Sequence, residues 1–377
     1  MLDILSPADR DFLAAVTAFV ESDVLPHAHR REGAGYPADL FARMRELGLF
    51  SACTRDLRTY ALAIEELARG WLSLLPIVNA HSSSVWACKF HATAAQRRQW
   101  LPWLLAGDQI AALALTEQQG GTDLAHLKWT AEPVAGRWHI TASKSLITHA
   151  GHADLMLILV RTDPDSALAH RGLSLFLLSQ GEWAVDREIP KLGSRGIETC
   201  EISVDTIVPA DRLIGEVPGR GFAQAMDVLE VGRIAVAAAA IGVGRRALWN
   251  AIEYARERAT ASGLVAELPT ARQQLGSAAA QLAAAKALAL SAADTKQRGG
   301  RHDLEASAAK VAAASAALTA ALTAMEIGGG WAYVEDLEFA RLLRDSALFI
   351  AGEGSNSVLT SLVGGRLVKA EPSLSWI

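Results

Sequence analysis

Apolar residues recur at helical spacing at both ends of the chain and at strand spacing in its middle. Phe12, Val16, Phe19 and Val20 fall on one helical face, and Ser6-Pro7 ahead of them supplies an N-cap and a proline at the first helical position. Phe41, Met44, Leu47 and Leu49 predict a second helix, and residues 60–68 and 94–105 two more. Near Ile110 the pattern changes. Trp138-His139-Ile140-Thr141 follows a glycine-containing turn, residues 155–160 and 173–178 are short apolar runs, and residues 200–208 alternate. From Gly221 the helical period returns at 222–259, 268–297, 303–327, 335–351 and 356–367, broken at Gly299-Gly300 and Gly328-Gly329-Gly330. The expected architecture is mainly α with a central β domain. Residues 1–109 form an N-terminal helical domain, 110–216 a small antiparallel β domain, and 217–377 a C-terminal four-helix bundle.

One break in that pattern carries a charge. Between the apolar face of Leu342, Leu343, Ala347, Phe349 and Ile350 and that of Val358, Leu359, Leu362 and Val363 stands Gly352-Glu353-Gly354. Ser355 and Asn356 are good N-caps for the second helix. Glu353 thus sits at a helix junction with no side chain on either neighbour, and two glycines leave the backbone free to aim it. Taken alone, the stretch also reads as a solvated turn.

Composition narrows the partners. Of 377 residues, 51% are hydrophobic and 20% charged, and the net charge is −5 with basic residues dispersed. This predicts a soluble globular protein of two or three domains and no nucleic-acid partner. Cys53, Cys88 and Cys200 show neither metal spacing nor a disulfide framework, so a reducing cytoplasm is expected. The amino terminus lacks a signal-peptide core, and uncharged runs such as 311–325 are alanine-rich and too short to span a bilayer, so no membrane association is expected.

Several familiar motifs fail on context. Gly242 to Ala247 fits G-x-G-x-x-A but follows a helical run instead of a strand, and reads as close helix packing. His149 and His152 lie three apart with no third ligand evident in sequence, so no metal is expected. More informative is Leu113 to Asp123, an apolar run ending in Thr116-Glu117, a glycine-rich turn and Thr122-Asp123. Free backbone N–H groups and two hydroxyls at a strand end suit the edge of a flat polar heterocycle, and no lysine or helix start follows to make a phosphate loop. Lys144 to Gly151 offers Thr148 beside apolar residues; either stretch alone is also an ordinary β turn.

Taken together, these stretches resemble the acyl-CoA dehydrogenase family over nearly the whole chain. The family's T-E-x-x-x-G-[ST]-D loop appears as Thr116 to Asp123, and its G-x-K-x-x-I-T-N segment as Lys144, Ile147 and Thr148, with His149 where Asn is usual. Gly193, Arg195, Thr199 and Val208-Pro209 match the linking motif. Gly221-Phe222, Arg233, Tyr254 and Arg258 match the first bundle helix, Gly328-Gly329 the glycine turn, and Arg344-Asp345 with Glu353-Gly354-Ser355 the R-D…E-G-[TS] motif.

The resemblance implies an FAD cofactor between the β domain and the bundle. Leu115, Thr116, Gly121 and Thr122 would hold its pyrimidine edge and phosphates, and Ile147 and Thr148 would lie against the isoalloxazine. Ser355 would contact the flavin, while Arg258, Gly328 and Gly329 would reach the FAD of a neighbouring subunit. Glu353 becomes the base that removes the α proton of an acyl thioester as the flavin N5 takes the β hydride, with Thr122, Arg233, Gly352 and Gly354 around the substrate. Relatives that place the base on the first bundle helix do so at the position of Gly232 here, so Glu353 has no competitor. The implied partners are an acyl-CoA or acyl-carrier-protein substrate, an electron acceptor such as an electron-transfer flavoprotein, and further copies of the chain in a tetramer or dimer. Departures from the pattern are Leu146 at the usual flavin-stacking Trp, Gly352 before the base, and a short SACTRDLRTY loop at residues 51–60, all suggesting an open substrate site. Ala261, Met325 and Trp331 alter the adenosine side. Two rival readings remain at this stage: a flavin-dependent monooxygenase or oxidase, and a degenerate non-catalytic paralogue.

Overall fold

The computed structural model describes residues 5–300, 303–335 and 337–369, so the ends of the expected first and last domains, with positions 301, 302 and 336, lie outside it. The first third is helical: α1 (Pro7–Phe19), α2 (Ala28–Arg31), α3 (Ala38–Glu46), α4 (Leu57–Gly70), α5 (Leu75–His91) and α6 (Ala94–Ala106). Local chemistry sets the boundaries. The Ser6 hydroxyl accepts the Asp9 N–H at 3.1 Å, the Asp56 carboxylate caps α4, and a reciprocal Thr93–Gln96 capping box opens α6. The predicted second helix stops at Glu46; Leu49 begins a 3₁₀ turn that leads directly to α4.

Helix α5 escapes sequence reading. It is buried nearly all round, and Asn79, His81, Ser82, Ser83 and Ser84 lie inside with the apolar residues, so no solvent-facing stripe betrays its period.

Seven strands form the middle sheet: β1 (Ala111–Ala114), β2 (Thr130–Val134), β3 (Arg137–Thr148), β4 (Leu155–Arg161), β5 (Leu173–Ser179), β6 (Ala184–Glu188) and β7 (Thr199–Pro209). The order is β1-β4-β2-β3-β7-β6, with β5 also paired to β4. The pairs are antiparallel except where β4 runs parallel to β1 and touches β2. Strands β4 and β5 are apolar on both faces because both are covered: Leu155, Leu157 and Leu159 join the helical core, while Met156, Ile158 and Val160 join the sheet's own core with Ile140, Phe176 and Ile202. Strand β6, exposed at every residue, gives no such signal.

The last part comprises α7 (Gly221–Glu257), a short hairpin of β8 (Ala259–Thr260) and β9 (Gly263–Leu264), α8 (Pro269–Gln297), α9 (Asp303–Gly328), α10 (Phe339–Ser346), α11 (Leu348–Ala351) and α12 (Asn356–Lys369). The single helix expected over 335–351 is instead two, beginning at Phe339 and divided at Ala347, after a 3₁₀ turn through Gly329–Tyr333. Helix α8 and the helical stretch Asp303–Tyr333 are long and apolar enough to cross a bilayer, which corrects the argument from uncharged run length. Both lie against α7, with alanine faces buried, as core helices do.

Gly242 lies in the middle of α7, which excludes the nucleotide-loop reading of its motif. A Cβ there would stand 2.2 Å from the Glu65 carbonyl oxygen of α4, so the glycine permits a backbone-to-backbone crossing. Gly242→Leu should therefore force the two helices apart and destabilise the protein by at least about 1–3 kcal/mol. Urea unfolding checks this, and an unchanged midpoint would contradict it.

Candidate active site

Glu353 stands where α11 ends and α12 begins, and its backbone is left-handed, with φ 55°. That conformation is unfavourable for a residue with a Cβ and persists where surrounding structure enforces it. Gly354 follows at φ 95°, whereas Gly352 is ordinary extended backbone. The bend thus rests on Glu353 and Gly354, not on both flanking glycines as the sequence suggested.

The carboxyl lies between α5 and α7. Oε1 accepts a hydrogen bond from Asn79 Nδ2 of α5 at 2.6 Å, and Oε2 is buried without a partner. Gly232 of α7 faces the group so closely that a Cβ there would lie 3.1 Å from it. Burial pushes the Glu353 carboxyl above its ordinary range, while the Arg233 charge, the Asn79 hydrogen bond and the Lys310 charge oppose that rise. The result is a base in dry surroundings with one oxygen uncommitted. Lys310 of α9 donates to the Gly354 carbonyl and to Asn356 Oδ1, both at 2.8 Å, and so pins the loop after the base. Burial lowers its ammonium to about 8 against the pull of Glu353. Neither Asn79 nor Lys310 was among the sequence candidates.

Of the other residues, Gly352, Gly354 and Arg233 surround Glu353. Ser355 takes the N-cap position of α12 through its carbonyl, which accepts the Leu359 N–H at 3.0 Å, but its hydroxyl turns to Ser357 instead of capping. Arg258 is exposed at the end of α7, beyond Arg233 by roughly 37 Å at 1.5 Å per residue. Arg258 therefore does not share a site with Glu353 of the same chain. The Gly328–Gly329 turn follows α9, with Gly329 exposed at φ 55°.

The glycine-rich loop after β1 is anchored from below. Lys144 and Glu117 are both fully buried and meet at 2.9 Å, and Lys144 also donates to the Leu115 carbonyl at 3.2 Å. The Ser145 N–H donates to the Thr116 carbonyl at 2.9 Å, and Glu117 pairs its backbone with Gly120. Gly121 lies over Thr116, where a Cβ would come within 3.0 Å of the side chain. Among the described residues the N–H groups of Thr116, Gly121 and Thr122 donate to no protein atom. Beside them the β3–β7 register shifts between Lys144 and Ile147, and Leu146 at φ 62° projects outward, 60% exposed. Ile147 is buried and Thr148 half-buried beyond it.

Helix α5 and the link before β7 hold this loop and the base in one frame. Asn79 reaches Glu353, and two residues on His81 accepts the Ala111 N–H at the start of β1. Gly193 crosses the Arg344 carbonyl so closely that a Cβ would lie 2.5 Å from it, and the Ser194 N–H donates to Asp345 Oδ1 at 2.7 Å. The two motifs around Gly193 and Arg344 therefore meet, joining sheet to C-terminal helices.

Free donors in the loop after β1, linked through Thr116 and Ser145 to the bulge that carries exposed Leu146, fit a flat heterocycle with acceptors on its rim, and a buried carboxylate fits proton removal. These features agree with the class that the chain's sequence and fold relatives define, flavin-dependent oxidoreductases acting on CH–CH groups. The chain belongs to the acyl-CoA dehydrogenase family: that family's N-terminal, middle and C-terminal domain models match residues 6–108, 112–207 and 219–368. It is 32% identical over 366 residues to an acyl-CoA dehydrogenase of Bacillus subtilis (strain 168), covering 94% of this chain and 96% of the relative. It is 30% identical over 385 residues to the short-chain specific acyl-CoA dehydrogenase of Megasphaera elsdenii, covering 97% and 99%. Its fold matches the structure of butyryl-CoA dehydrogenase from Megasphaera elsdenii with a TM-score of 0.93 at 29% identity, over 97% of this chain and 99% of that one.

Proposed function

We propose that this protein dehydrogenates a short acyl-CoA thioester between Cα and Cβ, with Glu353 as the base that removes the α proton. The observation that carries the reading is the buried Glu353 carboxyl with Oε2 uncommitted. A thioester α proton is weakly acidic, so the base must be strengthened by desolvation, and burial of this carboxyl does that. Bound FAD supplies the acceptor for the β hydride. The Thr116, Gly121 and Thr122 amides, with the hydroxyls of Thr116 and Thr122, would hold its pyrimidine edge and phosphates beside Leu115, while Ile147, Thr148 and Ser355 would lie against its ring system. Arg233, Gly352, Gly354 and Thr122 would bound the acyl thioester. The short chain length rests on the short-chain relative and on the butyryl-CoA dehydrogenase fold match.

The same reading makes the protein a cytoplasmic homo-oligomer. Arg258 and the Gly328–Gly329 turn lie far from their own chain's Glu353 and would serve a neighbour's FAD. Exposed Leu322, Trp331, Tyr333 and Val334 near that turn offer apolar surface for the contact. An electron-transfer flavoprotein or similar carrier would take up the electrons. Matched butyryl-CoA and butyryl-carrier-protein substrates test the carrier: turnover of the CoA ester is expected, and turnover of the carrier-bound ester alone would replace CoA in this reading.

Asn79 donates to the ionised form of Glu353 and so favours it. Asn79→Leu should raise the Glu353 pKa and move the acid limb of the kcat/KM profile to higher pH. Activity rises with pH on that limb because the carboxylate is the working form. An unmoved limb would remove Asn79 from the site.

A further inference from the structure

The turn between β3 and β4 brings together a set of groups that the dehydrogenase reaction does not use. His149 and His152 come from the turn, and Glu198 comes from the residue just before β7. Their ligating atoms all lie within 4.8 Å of one another. The sequence shows no third ligand because Glu198 is remote in the chain; the antiparallel pairing of Thr148 with Thr199 delivers it.

The cluster is built. The His149 N–H donates to the Glu198 carbonyl at 3.2 Å, and the His152 N–H to the His149 carbonyl at 3.2 Å. Glu198 Oε1 accepts the Gly151 N–H at 2.7 Å and lies 3.0 Å from His152 Nδ1. A Cβ at Gly151 would stand 2.9 Å from that oxygen, so a glycine is what lets the carboxylate lie there. Tyr36, arriving between α2 and α3, stacks on both imidazoles, with centroids 4.2 Å from His152 and 5.2 Å from His149.

His149 supplies an independent sign of a ligand. Its side chain is completely buried, yet neither ring nitrogen has a hydrogen-bond partner among the described residues. A buried imidazole left wholly unpaired is costly, and a bound ion would occupy one nitrogen.

We propose that His149, His152 and Glu198 form a binding site for a zinc-class divalent ion at the seam between the N-terminal helices and the β sheet. Two imidazoles and one carboxylate suit zinc, whereas magnesium and calcium favour all-oxygen sets. His152 is exposed, so its ring is free to turn toward the other two donors. The ion clamps the turn that follows Thr148 and the strand that begins at Thr199, beneath Tyr36. This inference stands apart from the role of Glu353.

The test uses the FAD-loaded protein, stripped with a chelator, equilibrated with zinc alone and gel-filtered, with zinc counted by elemental analysis. Wild type is expected to retain one ion per chain and to melt at higher temperature with zinc than without. His149→Asn, which keeps a residue tolerant of the left-handed turn, and the surface variant His152→Gln should both keep FAD and lower zinc affinity by at least about tenfold. Substoichiometric zinc in wild type, or equal retention by wild type and both variants, overturns the proposal.

Discussion

Glu353→Gln should lower kcat for acyl-CoA dehydrogenation by about 10²–10⁴-fold while leaving FAD bound. The substitution keeps the length of the side chain, and the amide oxygen can still accept the Asn79 hydrogen bond at the Oε1 position. What disappears is the lone-pair basicity of Oε2, the uncommitted oxygen that burial has strengthened. KM should change little, because a group that acts on the α proton contributes chiefly in the transition state. Exchange of the substrate α proton with solvent should vanish together with turnover. Among the described residues no second carboxylate is placed against Glu353: across from it lies Gly232, which has no side chain, and the neighbouring Arg233 and Lys310 are cationic. Retention of full activity by this variant would mean that the base lies elsewhere.

The second large effect is expected far from the base. Lys144→Met removes the only cation that the structure places on the buried Glu117 carboxylate, at 2.9 Å among the described residues. The remaining Glu117 contacts are the Lys128 N–H at 2.9 Å, the Trp129 N–H at 3.3 Å and the Gln119 side chain. These are too few to compensate a fully enclosed charge, and breaking such a pair from one side costs about 3–5 kcal/mol. The same lysine holds the Leu115 carbonyl, so the donor loop at Thr116, Gly121 and Thr122 should loosen as well. The expected outcome is a lower urea midpoint together with FAD lost on gel filtration. A double variant, Lys144→Met with Glu117→Leu, should recover much of the stability because no buried charge is left behind. If it recovers stability without FAD, the loop geometry is what the ion pair contributes to cofactor binding.

Much of this fold was legible in the order of periods along the chain. Helical spacing at both ends with short apolar and alternating runs between them predicts helices flanking a sheet, because α1, α3 and β7 each present one buried side and one wetter side. The elements that were missed lack that contrast. Helix α5 is buried on nearly every face, and β6 is exposed at every residue. The expected 335–351 helix is divided into two pieces, each with a buried phenylalanine, Phe339 and Phe349, and local periodicity does not record the break.

The site was legible to the extent that it is local. Glu353 between two glycines and Thr116 to Asp123 each announce themselves within a dozen residues. The groups that tune them do not. Asn79 and Lys310 reach the base and the loop after it from helices earlier in the chain, and a lone polar residue in an alanine- or serine-rich helix carries no sign of its target. Glu198 beside His149 and His152 is hidden for the same reason, since strand pairing alone makes it a neighbour. Resemblance to a family supplies roles for matching positions. It does not supply the departures, of which exposed Leu146 on its bulge and unpaired His149 are the clearest here.

The most direct test of the central claim is anaerobic addition of butyryl-CoA to the purified, FAD-loaded protein while the visible flavin spectrum is followed. Dehydrogenation by way of Glu353 predicts that the flavin band bleaches in wild type, that crotonyl-CoA appears in step with the bleaching, and that Glu353→Gln leaves the band intact. A wild-type band that persists through a panel of short acyl-CoA esters, or bleaching that is equally fast in Glu353→Gln, would contradict it.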